Sequence, residues 1–490
     1  MASQDRLTAL DTTFLHLEAG PTHMHVGSVM VFEGPAPPYD DFLDHVLGRL
    51  HLVPRYRQRL AEVPFGQGRP VWVDDPHFNP AYHLRHTALP APGGEDQLKR
   101  LVGRLFSQRL DRSKPLWEVW LAEGIEGGRF ALLAKTHHAL VDGVSGVDIT
   151  TVLFDHARDP APVGPPAREW VARPLPSSAT LLSQSLLERA TVPNEVLRGA
   201  RALWRAPREI ATNFQEAVMG VGATLGAGFN AAPDSPLNVP IGPHRRFTWV
   251  DADLDRFKAI KNALGGTVND VVLTAVSGAL GNWLRSQGHD TQGLVLRAMV
   301  PVSVRADVER GALGNKVATM WAPLPVGIED PTDAFREVHE AMAGLKESGQ
   351  AVGAQVLTQL ADFAPATILS QAARLQARQR FFNLVVTNVP GPQDPLYMLG
   401  RRILALYPQV PLAKNQALGV AVISYAGNLG FGLLGDYDAL PDLETIAGHL
   451  ESAIDDLAVA AGMPRGSARK TGSARAARSP VPAEPRPSNT

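Results

Sequence analysis

The sequence predicts an α/β protein made of two successive α/β regions. Three observations predict it. Segments patterned like strands alternate with segments of helical apolar spacing. The alternation occurs twice, once before His156 and again after Arg245. A proline-rich stretch followed by a helical one separates the two. The expected division is an N-terminal region at 1–158, a Pro-rich and helical linker at 159–244, a C-terminal region at 245–463 and a tail at 464–490.

The elements follow in order. LTALDTTFLHLE is a short opening segment, and MHVGSVMVFEG is a strand closed by a Gly turn. YDDFLDHVLGRLHL spaces Phe42, Val46 and Leu50 along one helical face. EDQLKRLVGRLFSQRLD is a second amphipathic helix. PLWEVWLAEG and RFALLAKTHH are strands joined at Gly127-Gly128; alternation puts Trp117, Val119 and Leu121 on one face. GVSGVDITTVLF returns to helical spacing through Val144, Val147, Thr151 and Phe154. Proline runs at 159–166 and 173–176 mark the linker, and 179–227 reads as helical. Beyond Arg245, TVNDVVLTAVSGALGNWLRSQG is a long helix and GLVLRAMVPVSVR a strand. NQALGVAVISYAGNLGFGLLG, Asn415 to Gly435, lacks charge, but Gly427-Asn428 breaks it, which predicts a core hairpin and not a membrane span.

Composition limits the function classes. The 47 basic and 49 acidic residues leave the chain near neutral, which argues against a dedicated nucleic-acid binder. The tail from Arg465 carries a net +5 and has no apolar pattern, so it is expected to be disordered. Cysteine is absent, which excludes disulfides, thiolate nucleophiles and Cys-ligated metal. The N-terminus lacks a charged-then-apolar leader pattern.

The chemistry gathers in KTHHALVDGVSG. His137 and His138 sit where a strand turns into a helix, a place where rigid elements can aim reactive side chains. A histidine there can take a proton from an alcohol and return it to a leaving group. Asp142 can fix the turn or hold an imidazole, and Gly143 permits a tight bend. The same residues also fit a plain pair of core histidines followed by an N-cap aspartate. Zinc is disfavoured: there is no HExxH, and His23 and His25 lack an obvious third ligand. GVSG does not have the spacing of a nucleophile elbow, and GVGATLGAG has no P-loop lysine. His137 and Asp142 also fit the H-x4-D of glycerol-phosphate acyltransferases, but the later block of that family is missing.

HHALVDG matches the HHxxxDG of CoA-dependent acyltransferases. With LDTTFLHLE, MHVG, PLWE, NDVVL, PVSVR and NVPGP in order, the chain resembles the bacterial wax ester synthase/acyl-CoA:diacylglycerol acyltransferase family over nearly its whole length. The resemblance implies two chloramphenicol-acetyltransferase-like halves with a central tunnel, joined by a helical crossover linker. It implies His138 as general base in a motif with His137, Asp142 and Gly143. Asp142 would be structural, with Arg305 its inferred partner. Asn269 would orient substrate or stabilise the oxyanion, although it also suits a helix N-cap. Asp270 would be structural support, and Pro115, Leu116 and Trp117 would shape the tunnel. No metal or cofactor is implied. The substrates would be acyl-CoA and either diacylglycerol or a long-chain alcohol, met at a membrane or lipid-inclusion surface from the cytoplasm. The arginine-bearing segment 195–210 suits that surface or a packed crossover helix. The alternatives are a condensation-type N-acyltransferase and a non-catalytic lipid-droplet protein.

Overall fold

A computed structural model describes residues 6–141, 153–187, 231–303, 317–347 and 381–465. The predicted helix at 143–154, segment 195–210, Asp142, Gly143 and Arg305 lie wholly or largely outside them, as does nearly all of the tail.

In the first part of the chain, helix α1 (Ala9–Leu17) precedes strand β1 (His25–Phe32) and helix α2 (Tyr39–Leu47). Strands β2 (Gln58–Ala61) and β3 (Val71–Asp74) form a separate hairpin. One helical turn, α3 (Pro80–His83), leads to β4 (Leu84–Ala88), then α4 (Glu95–Phe106), β5 (Trp117–Ile125), β6 (Arg129–His137) and the short α5 (His138–Val141). The second part supplies β7 (Arg245–Asp253), β8 (Leu296–Ser303), β9 (Val317–Leu324), β10 (Leu384–Val389), β11 (Tyr397–Met398), β12 (Arg401–Gln409), β13 (Leu418–Tyr425) and β14 (Asn428–Asp436). Its helices are Leu254–Leu264, Val268–Ser286, Pro331–Glu347 and Leu443–Ala460.

The strands build two six-stranded sheets, ordered β11-β12-β1-β6-β5-β4 and β7-β14-β13-β10-β8-β9. No local pattern in the sequence shows that β11 and β12, late in the chain, complete the first sheet. Gly27 of β1 sits opposite Gln409 of β12.

Alternation explains the layering. Met30 and Phe32 of β1 face a core with Phe42, Tyr56, Trp117, Val119 and Leu121. Val29 and Val31 face the other way, onto Leu98, Leu101 and Val102 of α4. That second cluster also holds Phe247 and Trp249 of β7 and Leu434 of β14, so one apolar layer ties the two sheets together. The second sheet has its own core against the four later helices.

The predicted charge-free hairpin is present. Tyr425 pairs with Asn428, and Ala426 and Gly427 turn the chain at φ 44° and 82°. The turn lies one residue before the expected break. Among the described residues no single helix is long and apolar enough to cross a membrane. Leu254–Leu264 and Val268–Ser286 reach that composition only as a pair bent by 96°, and both contribute side chains to the second core.

Candidate active site

Strand β6 carries the doubled histidine to its end, and α5 begins at His138. Each histidine backbone is fixed by a neighbouring motif. His137 N donates to Leu116 O at 2.9 Å, and His138 N donates to Met24 O at 2.8 Å. PLW and MHVG therefore hold the turn from both sides.

The two side chains have different surroundings. His137 is 1% exposed, whereas His138 is only partly buried. His138 lies on the ring of Phe14, with centroids 3.9 Å apart and planes 23° from parallel. His137 Nδ1 accepts from Ala139 N at 3.1 Å, which puts its proton on Nε2. Nε2 points at Glu18 Oε2, 3.6 Å away. Burial holds the His137 pKa below its ordinary value, against the pull of Glu18, so the ring is neutral.

Glu18 is itself enclosed. Burial pushes its carboxyl up, but His137 and Arg112 outweigh that and bring it to about 2. Arg112 Nε donates to Oε2 at 2.8 Å, and Arg112 Nη2 donates to Leu15 O at 2.7 Å. Arg109 approaches the other oxygen at 3.8 Å and bonds Gly20 O at 2.7 Å. The carboxylate thus anchors the loop after α1 and braces the imidazole beside the partly buried His138. Deeper in the sheet, Lys135 pairs with Glu118 at 2.5 Å and donates to Leu105 O at 3.0 Å and Gln108 O at 2.9 Å.

His23 and His25 stack at 5.5 Å, and His25 Nε2 lies 3.1 Å from Phe106 O. Among the described residues no three His, Asp, Glu or Cys side chains group as metal ligands.

Pro115, Leu116 and Trp117 are buried, Leu116 fully. Trp117 Nε1 donates to Tyr56 O at 2.8 Å, and its ring stacks on His83, whose Nδ1 donates to Trp117 O at 2.8 Å. Leu116 and Trp117 pack in the core of the first sheet. Asn269 is partly buried in the first turn of Val268–Ser286. It is not the N-cap: Thr267 is, in a capping box closed by Asp270. Asp270 Oδ2 accepts from Thr267 N at 2.9 Å and lies 2.9 Å from His339 Nδ1.

Phe14, Glu18 and Arg112 were not singled out from sequence. Phe14 and Glu18 lie within LDTTFLHLE, which in the sequence stands out only as a family motif. Nothing in its spacing points to a histidine more than a hundred residues away.

Two six-stranded sheets, the first completed by β11 and β12 from late in the chain, with a histidine turn at the end of central strand β6, form a fold also seen in condensation domains. The starter condensation domain of rhizomide synthetase matches with a TM-score of 0.55 over 95% of this chain and 96% of its own, at 15% identity. The particular family follows from closer likenesses. The wax ester synthase/diacylglycerol acyltransferase catalytic domain matches residues 7–272, and the WS/DGAT C-terminal domain matches 313–458. "Probable diacyglycerol O-acyltransferase tgs1" of Mycobacterium tuberculosis is 35% identical, covering 92% of this chain and 95% of its own. Its compatriot tgs2 is 35% identical over 94% and 100%. The wax ester synthase/diacylglycerol acyltransferase from Marinobacter aquaeolei VT8 has a TM-score of 0.64 and 29% identity, covering 94% of this chain and all of that one. The chain belongs to the wax ester synthase/diacylglycerol acyltransferase family.

Proposed function

We propose that this protein transfers a long-chain acyl group from acyl-CoA to diacylglycerol, forming triacylglycerol and free CoA. The observation that carries the reading is the asymmetric histidine pair: a neutral, braced His137 beside a partly exposed His138, in a chain of this family. His138 acts as the general base. It takes the proton of the acceptor hydroxyl as that oxygen attacks the thioester carbonyl carbon. The tetrahedral oxyanion then re-forms the carbonyl, the C–S bond breaks, and the imidazolium returns the proton to the CoA thiolate. Asn269 orients substrate or donates to the oxyanion. Asp142, with Arg305, and Gly143 shape the turn after the base. Asp270 supports the start of the helix that carries Asn269.

Fatty alcohols are further acceptors, giving wax esters; the family description names that activity. The condensation reading has less support, because that likeness is one of fold. The protein works from the cytoplasm at a membrane or lipid-inclusion surface, where both acceptors reside.

The test is acyl transfer by purified protein from long-chain acyl-CoA to diacylglycerol, hexadecanol or a primary amine. Triacylglycerol formation, abolished in His138→Ala, is expected. Acylation of the amine alone would replace this reading with the condensation one.

A further inference from the structure

Helix α1 meets both histidines of the turn. Glu18, its C-cap, faces His137. Phe14, four residues earlier and so one helical turn away on the same side, faces His138. The helix is held at both ends. Thr8 and Asp11 close its capping box. Arg112 Nη2 donates to Leu15 O, while Arg112 Nε holds the Glu18 carboxylate.

Packing alone does not account for Phe14. Leu15, next to it, is 5% exposed and joins the core of the first sheet. Phe14 is only partly buried, and among the described residues it belongs to none of the apolar clusters. An aromatic side chain ordinarily delivers its large area to a core. This one lays its face on the His138 imidazole, with centroids 3.9 Å apart and planes 23° from parallel.

The stack has two consequences for a base. The benzene ring covers one face of the imidazole, so the plane that contains the nitrogen lone pairs is held. The ring face is also electron-rich, and it attracts a cation within about 6 Å of its centroid. A general base is neutral before it takes the hydroxyl proton and cationic until it gives that proton to the thiolate. The stack therefore favours the charged state, which develops in the transition state.

We propose that Phe14 is a positioning residue for His138: it holds the imidazole plane and stabilises the imidazolium through its ring face. The proposal rests on His138 being the general base and deepens that reading.

The test is to replace Phe14 by pentafluorophenylalanine, which keeps the shape of the ring and reverses the charge distribution of its face. With long-chain acyl-CoA and diacylglycerol, kcat should fall about tenfold, the share of one cation–π contact. KM and the melting curve should not change. Phe14→Leu should lose at least as much, and Phe14→Tyr, which keeps an electron-rich face, should recover most of kcat. Should Phe14→Leu fail to fold, the fluorinated protein carries the test by itself. Wild-type kcat in the fluorinated protein overturns the proposal. So does an effect confined to KM, which would make Phe14 a wall of the substrate passage instead. His138→Ala, measured alongside, separates the two claims. If it is inactive while the Phe14 variants match wild type, only the role of Phe14 fails. If it stays active, the base assignment fails and the proposal falls with it.

Discussion

At the scale of single residues, the bracing of His137 explains how one of two adjacent histidines is set apart. A free imidazole can carry its proton on either nitrogen. Here the Ala139 N–H occupies Nδ1 and the Glu18 carboxylate faces Nε2, so one tautomer is selected. Glu18 is therefore a positioning residue: it acts through His137 on the turn that presents His138. Its carboxyl is held at about 2, below its ordinary 4.5. The stabilisation is then present above pH 4.5 and disappears as pH falls toward 2, so it is fully expressed at neutral pH. Glu18→Gln should lower stability by about 2–3 kcal/mol in urea melts at pH 7. It should reduce kcat with little change in KM, and Glu18→Asp should rescue part of the stability. A Glu18→Gln variant with wild-type kcat and midpoint would remove this role. Little of this was legible in the sequence. HHALVDG points to the proposed base, but the brace of its neighbour comes from the end of α1 and from Arg112, with no local pattern linking them.

Elements were more legible. The strands at Trp117–Ile125 and Arg129–His137, the helix at Val268–Ser286 and the hairpin around Gly427 follow periodicity and turn chemistry. The opening segment is a full helix: Thr8 and Asp11 form a capping box and start Ala9–Leu17. Crossover strand β12 could not be read either, because pairing between residues 27 and 409 leaves no local trace. What it demands is visible on β14. A side chain on Gly430 or Gly432 would run into the carbonyls of Leu406 and Pro408. The glycines of NLGFGLLG thus allow β14 to lie against β12, and so one sheet against the other. Gly432→Val should cost about 3 kcal/mol or more by overpacking, with loss of soluble expression as the readable outcome. Gly427→Ala, at a turn with no close neighbour, should cost only about 1 kcal/mol. Equal losses in thermal melts would contradict this account of β14.

At the scale of the whole molecule, burial of histidines makes the fold sensitive to acid. Burial brings His23 and His83 down to about 4, and pushes His25, His45 and His137 below 6.5. Each prefers to be neutral when folded. The unfolded chain therefore binds more protons below pH 6.5, and stability falls as pH drops from there toward 4. His83 alone accounts for roughly 3 kcal/mol at the acid limit. Tm should be flat above pH 7 and fall steeply between 6 and 4; a flat profile across that range would contradict the assignment. The two-sheet architecture was foreseeable as two α/β regions, while the shared apolar layer of Val29, Val31, Phe247 and Trp249 was not. Each of these side chains reads as an ordinary strand residue until both sheets are in place.

The most direct test of the central claim is CoA release from long-chain acyl-CoA in the presence of diacylglycerol, by wild type and by His138→Ala with an unchanged melting curve. Loss of the general base predicts a fall of about 10²- to 10⁴-fold. A folded His138→Ala protein that releases CoA and forms triacylglycerol at the wild-type rate would contradict it.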